Sequence, residues 1–295
     1  MTEGITNTKI EYYSFGYVLR KWANIPMQMP LYLDGQHGIL FSDSIPDNRR
    51  TLKYLAHCER AEKIAKAAGY KVVRTGHPYL MYRILNNIHL KSERSGSVYF
   101  YPHSTYQHLS IVDDHETMNL LLNNVPHEYQ PVTICFYYRD LEYGRDKIYR
   151  DNGFNCISLG HPLDINFVKN LYETLCSTKL VIDDSLGSHV YYAVNLGLPV
   201  LRIREMPVYK EVNKGDDDLK DIYKMKYYIS FNQVLPVGVK PVRSPELMTF
   251  VNNELGADNL IRPFYLKLII LSEFIKKSII ILFSASSRLK KLMKF

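Results

Sequence analysis

The sequence has little of the chemistry typical of secreted proteins. Its 295 residues include only four cysteines, and none of them forms a Cys-x-x-Cys pair. Cys135 and Cys156 lie in apolar, strand-like stretches, where a thiol acts as a small hydrophobic side chain. The N-terminus lacks a basic stretch followed by an apolar one, so we expect no secretory signal peptide. These features predict a reducing, cytoplasmic location.

Motifs for metals and common cofactors are also absent. The sequence contains no His-Glu-x-x-His, no zinc-type Cys/His spacing, no Gly-x-Ser-x-Gly, no Gly-x-Gly-x-x-Gly and no P-loop. The run Asp216, Asp217 and Asp218 follows Asn213-Lys214-Gly215 rather than an apolar strand. A solvated acidic loop therefore explains this run better than a metal site does. We expect neither a metal nor another cofactor.

Positive charge is scarce outside the C-terminal end of the chain. The protein has 37 Lys and Arg against 30 Asp and Glu. Eight of the basic residues and one acid, Glu273, lie in residues 262–295, which leaves 29 of each sign before them. A protein that binds nucleic acid in a basic groove would spread this charge over its folded body. We therefore expect no nucleic-acid partner.

The apolar pattern alternates between strands and helices. Runs rich in β-branched and aromatic residues predict strands, and apolar residues at helical spacing predict helices. The predicted strands are residues 30–33, 71–74, 97–101, 131–138, 155–159, 179–182 and 199–203. The predicted helices are residues 49–68, one capped by Asp114, one capped by Asp164 that runs to Cys176, and residues 188–196. Single helices between strands imply parallel sheets, so we predict two stacked α/β domains, the first one abbreviated.

Polar and small residues follow several of the predicted strands. Ligands of an open parallel sheet bind at the carboxyl ends of its strands, where imidazole and hydroxyl groups can hold a phosphate or a sugar. An ordinary turn explains the same residue types. The candidates from these strand ends are His37, His103, Ser104, Thr105, His161 and His189, with Arg139 as a possible charge partner.

The strongest pattern is residues 181–189, where an apolar strand leads through a small-residue turn into a helix. A helix N-terminus presents unpaired N–H groups and a partial positive charge to an anion. Gly187 permits close approach of the backbone, and Ser185 and Ser188 add hydroxyl donors. We predict a phosphate site here, and an ordinary helix cap is the alternative.

Residues 175–203, which end in Leu196-Gly197-Leu198-Pro199, resemble the donor-site helix of GT-B glycosyltransferases. The stretch from Pro102 to Thr105 is similar to proteins of bacterial surface-polysaccharide clusters. The His37-Gly38 loop resembles the one at the interdomain cleft of these proteins and of CDP-glycerol-type transferases. The resemblance covers residues 30–205.

This resemblance implies a GT-B-like fold with two Rossmann-like domains. Residues 1–93 would form the acceptor-side domain, residues 97–260 the nucleotide-sugar-binding domain, and residues 261–295 a basic amphipathic tail. We expect a metal-independent glycosyltransferase that moves a sugar from a nucleotide donor to a surface glycan or a lipid-linked acceptor. His37 would be the base, because its loop faces the cleft. The alternatives are a CDP-glycerol-type polyol-phosphate transferase and a non-catalytic nucleotide-sugar-binding module.

Residues 264–283 are rich in Leu, Ile and Phe but are interrupted by charged residues. The longest uncharged run is half of the 20 or so residues that a spanning helix needs. The pattern favours an interfacial helix whose lysines reach anionic headgroups, on the inner face of the cytoplasmic membrane. A helix packed on the protein's own core is the alternative.

Overall fold

The computed structural model describes residues 8–45, 52–102, 112–184, 187–205, 226–238 and 240–292, with side chains of the last helix described to residue 283. Within these ranges the chain forms two parallel sheets, of three and five strands. The predicted α/β class, with an abbreviated first sheet, is confirmed.

The first sheet has the strand order β1–β2–β3. Its elements are α1 (Phe15–Ala23), β1 (Leu33–Gly35), β2 (Lys53–Ala56), α2 (Glu59–Ala67), β3 (Lys71–Arg74) and α3 (Pro78–Leu85). The helix predicted over residues 49–68 is wrong over its first part, because residues 53–56 form the central strand. Leu55 of this strand pairs with Gly35 on one side and with Val73 on the other. The helix begins only after Cys58, whose Sγ accepts a hydrogen bond from the Ala61 N–H.

The second sheet has the order β6–β5–β4–β7–β8, and all its strands are parallel. Numbered along the chain within the sheet, this order is 3-2-1-4-5, the order of a Rossmann-type sheet. Its strands are β4 (Ser97–Phe100), β5 (Val132–Phe136), β6 (Asn155–Ser158), β7 (Leu180–Asp183) and β8 (Val200–Arg202). Its helices are α4 (Asp114–Asn124), α5 (Tyr138–Glu142), α6 (Asp146–Asp151), α7 (Phe167–Ser177) and α8 (Ser188–Leu196).

The ends of the helices around this sheet agree only in part with those predicted from the sequence. The bounds predicted for α8 are confirmed, and Gly197 ends it at a φ of 89°. Asp113, not Asp114, caps α4 by accepting from the Glu116 N–H. Asp164 accepts from the Asn166 N–H in the turn before α7, so its side chain acts one turn earlier than predicted.

In the part of the chain described after the second sheet, the α-helices are α9 (Lys226–Val234), α10 (Pro245–Leu255) and α11 (Pro263–Leu292). Helix α10 packs on α8, and α11 returns to α1 beside the first sheet. Trp22 Nε1–H donates to the Ile261 carbonyl at 2.8 Å and fixes the start of this return. Of the helices in the described ranges, none is long and apolar enough to cross a bilayer.

One continuous apolar core joins the two sheets. It includes Leu33 and Leu55 of the first sheet, Val98 and Val181 of the second, and Val190 of α8. Because these residues belong to one cluster, removal of apolar surface from water stabilises both sheets together. The carboxyl ends of the strands are thereby held in a fixed relation.

Gly256, at the end of α10, packs closely against the chain that follows β2. It ends α10 at a φ of 64°, and a Cβ there would lie 2.0 Å from the His57 carbonyl oxygen. Gly153 has a φ of 84° with no atom within 4 Å of its Cβ position, so it is a matched control. Gly153→Ala should cost about 1–2 kcal/mol for the left-handed backbone alone. Gly256→Ala should cost roughly 1–3 kcal/mol more, because the neighbouring backbone must move. Equal losses in urea unfolding would contradict the close packing.

Candidate functional site

The site predicted from the sequence lies where the strand order of the second sheet reverses. From β4 the chain proceeds outward to β5 and β6 and then returns to the other side of β4 as β7. In sheets of this type a ligand crevice is expected at such a point, at the carboxyl edge of the strands. Of the predicted residues at this point, His103, Ser104, Thr105 and Ser185 lie outside the described residues, whereas Gly187, Ser188 and His189 are described.

The first sheet reaches this crevice through the loop after β1. The Ile39 N–H donates to Ser188 Oγ at 3.0 Å, which joins this loop to the first residue of α8. A Cβ at Gly38 would lie 2.8 Å from the same oxygen. The small residue after His37 therefore permits the approach of the two sheets.

His37 is exposed beside this contact. Its ring lies 5.3 Å from that of Tyr13 and 6.0 Å from that of Tyr12, measured between ring centroids. Both tyrosines are half-buried. The imidazole thus has aromatic surface beside it.

His189 lies on the opposite side of the crevice, in the first turn of α8. Its ring stacks on Phe100 with centroids 4.2 Å apart, and Nε2 lies 3.1 Å from Oδ1 of the fully buried Asp183. A Cβ at Gly187 would lie 2.4 Å from His189 Nδ1. A larger residue at position 187 would therefore require the His189 ring to move. The predicted role of Gly187 in the approach of a phosphate stays a prediction.

A buried charge cluster supports β7 beneath the crevice. Asp184 accepts from Tyr99 Oη at 2.6 Å and from Arg204 Nε at 2.8 Å, and Arg204 also donates to Thr117 Oγ1. Burial raises the pKa of Asp184 to about 6, although the Arg204 charge opposes this shift. Arg202, fully buried beside Asp183, donates to the Leu235 carbonyl at 2.8 Å. The cluster keeps the end of β7 rigid.

The remaining predicted residues lie farther along the same edge. Arg139 Nε is 3.3 Å from Tyr138 Oη, and the ring of the exposed His161 lies 4.5 Å from that of Tyr138. A hydrogen bond between Tyr137 and Tyr13 connects this group to the residues around His37. The structure therefore places the predicted residues in two groups along one edge. Ser188 belongs to the first group, and Arg139 and His161 belong to the second.

Two buried residues behind the proposed site were not among the predicted site residues. His77 and Tyr192 are buried, and His77 Nε2 lies 3.1 Å from Tyr192 Oη. His77 lies between β3 and α3 and caps α3 by accepting from the Tyr79 N–H. Tyr192 lies four residues after Ser188 on α8, so its side chain occupies the same helix face. That spacing was the signal available in the sequence.

Within the described ranges, no three His, Cys, Asp or Glu side chains are placed to hold a metal ion. Asp216, Asp217 and Asp218 lie outside those ranges.

Comparison with known proteins gives matches among solved structures only. No family model and no curated protein matches the sequence. The wall teichoic acid polymerase TagF is 13% identical with a TM-score of 0.45, and the match covers 84% of this chain and 69% of that protein. WaaG, a glycosyltransferase involved in lipopolysaccharide biosynthesis, is 13% identical with a TM-score of 0.33 over 76% of this chain and 64% of its own.

A putative UDP-N-acetylglucosamine 2-epimerase from Listeria monocytogenes also matches. It is 13% identical with a TM-score of 0.33, over 74% of this chain and 56% of its own. Of the three, WaaG is described as a glycosyltransferase, the class that the sequence resemblance named. The chain spans less than two thirds of the length of WaaG and of the epimerase.

The buried Asp184 gives a pH prediction. Its pKa is raised from 3.8 to about 6 in the folded protein, so the folded state binds more protons than the unfolded state between these values. The free energy of unfolding of the wild type should therefore fall as the pH rises through this window. In an Asp184→Asn variant the free energy of unfolding should not fall in this way, because the titrating carboxyl group is removed. The stability of this variant relative to the wild type should improve by about 2 kcal/mol from pH 4 to pH 7.

Urea unfolding at several pH values measures this difference, in which the contributions of all other groups cancel. Asp151→Asn, at an exposed position, is the control for the replacement of an aspartate by asparagine. A difference for Asp184→Asn that does not change with pH would rule out the raised pKa.

Proposed function

We propose that the protein is a metal-independent glycosyltransferase that moves a sugar from a nucleotide donor to a surface glycan or a lipid-linked acceptor. One observation carries this proposal. The N-terminus of α8 meets the loop of the exposed His37 at the reversal point of a Rossmann-type sheet, through the bond from Ile39 to Ser188. The helix N-terminus itself stabilises an anion, so the proposed phosphate site does not need a metal ion.

The donor phosphate would lie at the N-terminus of α8. Free N–H groups of the first helical turn point out of that end, and Ser188 and His189 add polar side chains beside them. His103, Ser104, Thr105 and Ser185 remain candidates for the same phosphate from the neighbouring loops. As the glycosidic bond forms, the bond from the anomeric carbon to the phosphate oxygen breaks, and the helix N-terminus stabilises the charge of the departing nucleotide.

The acceptor would approach from the side of His37. Its imidazole is proposed to take the proton of the acceptor hydroxyl as the oxygen attacks the anomeric carbon. Tyr12 and Tyr13 offer half-buried rings with polar tips next to it, a surface suited to a sugar. Arg139 and His161 lie beyond these rings, where a longer acceptor or the rest of the donor would extend.

A donor panel tests the reaction class. The protein is incubated with CMP-, UDP-, GDP- and dTDP-sugars and with CDP-glycerol, and nucleotide release is followed by chromatography. Release from a sugar donor supports the proposal, whereas turnover of CDP-glycerol favours a polyol-phosphate transferase. Binding without turnover would indicate a non-catalytic module, to which the three-stranded first sheet is also suited.

His37→Ala tests the proposed base. The variant should keep donor affinity and lose transfer by about 10²–10⁴-fold, because general-base assistance contributes this much. His89→Ala is the matched control, since His89 is an exposed histidine that contacts Asn87. Near-normal transfer by His37→Ala would assign the base to another residue.

We further propose that α11 binds the surface of an anionic membrane. This helix packs on α1, its residues Leu266 and Ile270 are buried, and Glu273 forms an ion pair with Lys53 of β2 at 3.3 Å. A second apolar stripe lies on the opposite face at helical spacing and is exposed. It consists of Phe264, Leu268, Ile275, Ile279 and Leu282.

The basic residues near this stripe favour an anionic lipid surface as its binding partner. Lys267 and Lys276 flank it, and the sequence beyond residue 283 adds Arg288, Lys290, Lys291 and Lys294. Each basic residue near an anionic leaflet contributes about 1 kcal/mol. The two expectations for the tail thus apply to opposite faces of one helix: one face packs on the core, and the other is proposed to bind lipid.

A triple variant, Leu268→Ser with Ile275→Ser and Ile279→Ser, tests this surface without removing the buried residues. Cosedimentation with phosphatidylglycerol-containing vesicles should weaken by more than about tenfold, because each side chain contributes of order 1 kcal/mol or more on burial. Added salt should weaken wild-type binding as well.

Ile84→Ser with Leu122→Ser removes exposed apolar side chains elsewhere and should leave vesicle binding unchanged. A wild-type protein that ignores these vesicles, or that forms a dimer lost in the triple variant, would contradict the lipid assignment.

A further inference from the structure

The loop after β1 is bound by the side chain of Arg60. Residues 36–45, which include His37, form neither a helix nor a strand, so no ladder of their own satisfies their backbone groups. Arg60, in the first turn of α2, donates from Nη2 to the Leu40 carbonyl and from Nη1 to the Ser42 carbonyl, the latter at 3.4 Å. One side chain therefore binds the loop at two points shortly after His37.

Arg60 is itself fixed by two neighbouring helices. Its Nε and Nη2 donate to the carboxylate of Glu254 in α10, at 3.2 and 2.9 Å. Its guanidinium lies 4.0 Å from the centroid of the Tyr227 ring in α9. The side chains of Arg60 and Glu254 are only 25% and 11% exposed, so this pair is partly shielded from water. Because the five N–H groups of arginine lie in one rigid plane, the carboxylate that binds one edge also orients the edge that faces the loop.

The same loop also contacts α8. The Ile39 N–H donates to Ser188 Oγ at 3.0 Å, and the ring of Phe41 lies 6.0 Å from that of Tyr191, measured between centroids. Contacts with α8 and with the guanidinium thus alternate over successive residues from Ile39 onward. This part of the loop has little freedom to move, and His37 lies immediately before it.

We propose that Arg60, oriented by Glu254, is a positioning residue that fixes the loop after β1 and thereby the place of the His37 imidazole relative to α8. The role of His37 as the base rests on the proposed function, whereas the binding of the loop by Arg60 rests on the contacts alone. An ion pair of this kind gains little net stability, because desolvation offsets its attraction. Its geometry matters more, since displacement of a reacting group by about 1 Å can lower a rate about 10²-fold.

The histidine ring signals in an NMR spectrum test the position of the loop without any substrate. The His37 ring lies beside the rings of Tyr12 and Tyr13, so its signals depend on where the loop places it. Arg60→Lys keeps the charge but carries its donors on one flexible nitrogen, which lacks the plane that joins Glu254 to the loop. In this variant the His37 signals should shift toward those of an exposed histidine.

Three controls accompany these spectra. His37→Ala assigns the signals by their disappearance, and the signals of the exposed His89 should stay unchanged in the same samples. Arg74→Lys is the matched control, because Arg74 pairs with Glu62 of the same helix α2 at 3.6 Å. A loss of overall stability alone does not move the signals of the folded state. Unchanged His37 signals in Arg60→Lys would therefore overturn the proposal.

Glu254→Gln provides a second variant, which leaves Arg60 in place and removes the charge that orients it. The His37 signals should shift here as well, by less than in Arg60→Lys. This variant also keeps the test open if Arg60→Lys does not fold. A shift in Arg60→Lys with none in Glu254→Gln would overturn the orienting role of Glu254.

Transfer kinetics test the consequence for the reaction. Arg60→Lys should lower kcat about 10- to 100-fold and leave the KM of the nucleotide donor unchanged, because it displaces the base. Arg74→Lys should leave both constants unchanged. In a His37→Ala background, Arg60→Lys should cause no further loss of transfer, since the two residues act through one imidazole. An equal loss in both backgrounds would show a merely structural role and overturn the proposal.

The outcomes separate this proposal from the proposed function. A wild-type protein that transfers no sugar contradicts the proposed function, while the histidine spectra still decide whether Arg60 positions His37. Shifted His37 signals with unchanged transfer support the positioning role and contradict the assignment of His37 as the base.

Discussion

Two neutral histidines buried between the sheets are the constraint on which the candidate site depends. The rings of His57 and His77 have centroids 4.3 Å apart, and both are excluded from solvent. Burial lowers the pKa of His57 to about 3 and that of His77 well below its usual value. A second positive charge at this distance would be strongly unfavourable in a low dielectric. The pair therefore stays uncharged near neutral pH. The two rings lie between the loop of His37 and α8.

The charge cluster at the end of β7 has a similar structural role on the other side of the crevice. Asp183 pairs with Arg202 in the register of the sheet, and Asp184 bonds Arg204. Buried ion pairs gain little net stability, because desolvation offsets their attraction, but loss of one partner is costly. The cluster thus penalises any movement of β7 relative to β8.

The sequence was sufficient for the parts of the fold that depend on local patterns. The strand before α8, the bounds of that helix and its glycine end could all be predicted, because each follows from neighbouring residues. Strand β2 could not be predicted in the same way. Lys53–Ala56 is a short stretch next to a helical pattern, and only its pairing with strands on both sides makes it a strand.

For the candidate site, too, local sequence patterns indicate some residues and not others. His37, Ser188 and His189 could be found because they follow strands or begin a helix, where polar residues stand out in the sequence. The contact between His77 and Tyr192 could not be predicted, since it joins residues 115 positions apart. A buried histidine looks like a turn residue when only its neighbours along the chain are known, and a helix tyrosine looks like ordinary core.

Backbone strain gives a further reason to place the acceptor side of the site near His37. Tyr13 and Ser14 have φ values of 56° and 64°, a left-handed conformation that costs roughly 1–2 kcal/mol for each such residue. Hydrogen bonds hold it in place: Tyr13 N–H donates to the Pro162 carbonyl, and Ser14 Oγ donates to the Asp164 carbonyl at 3.0 Å.

Such strain persists only where surrounding contacts over-determine it, and it is concentrated at functional positions. Here it turns the Tyr13 ring against His37 and, through the bond with Tyr137, toward the edge of the second sheet. A relaxed, extended segment would direct this ring elsewhere. Tyr12 and Tyr13, which precede the first sheet in the chain, therefore lie next to the proposed site at His37. These aromatic residues add to the surface that the three-stranded first sheet presents there.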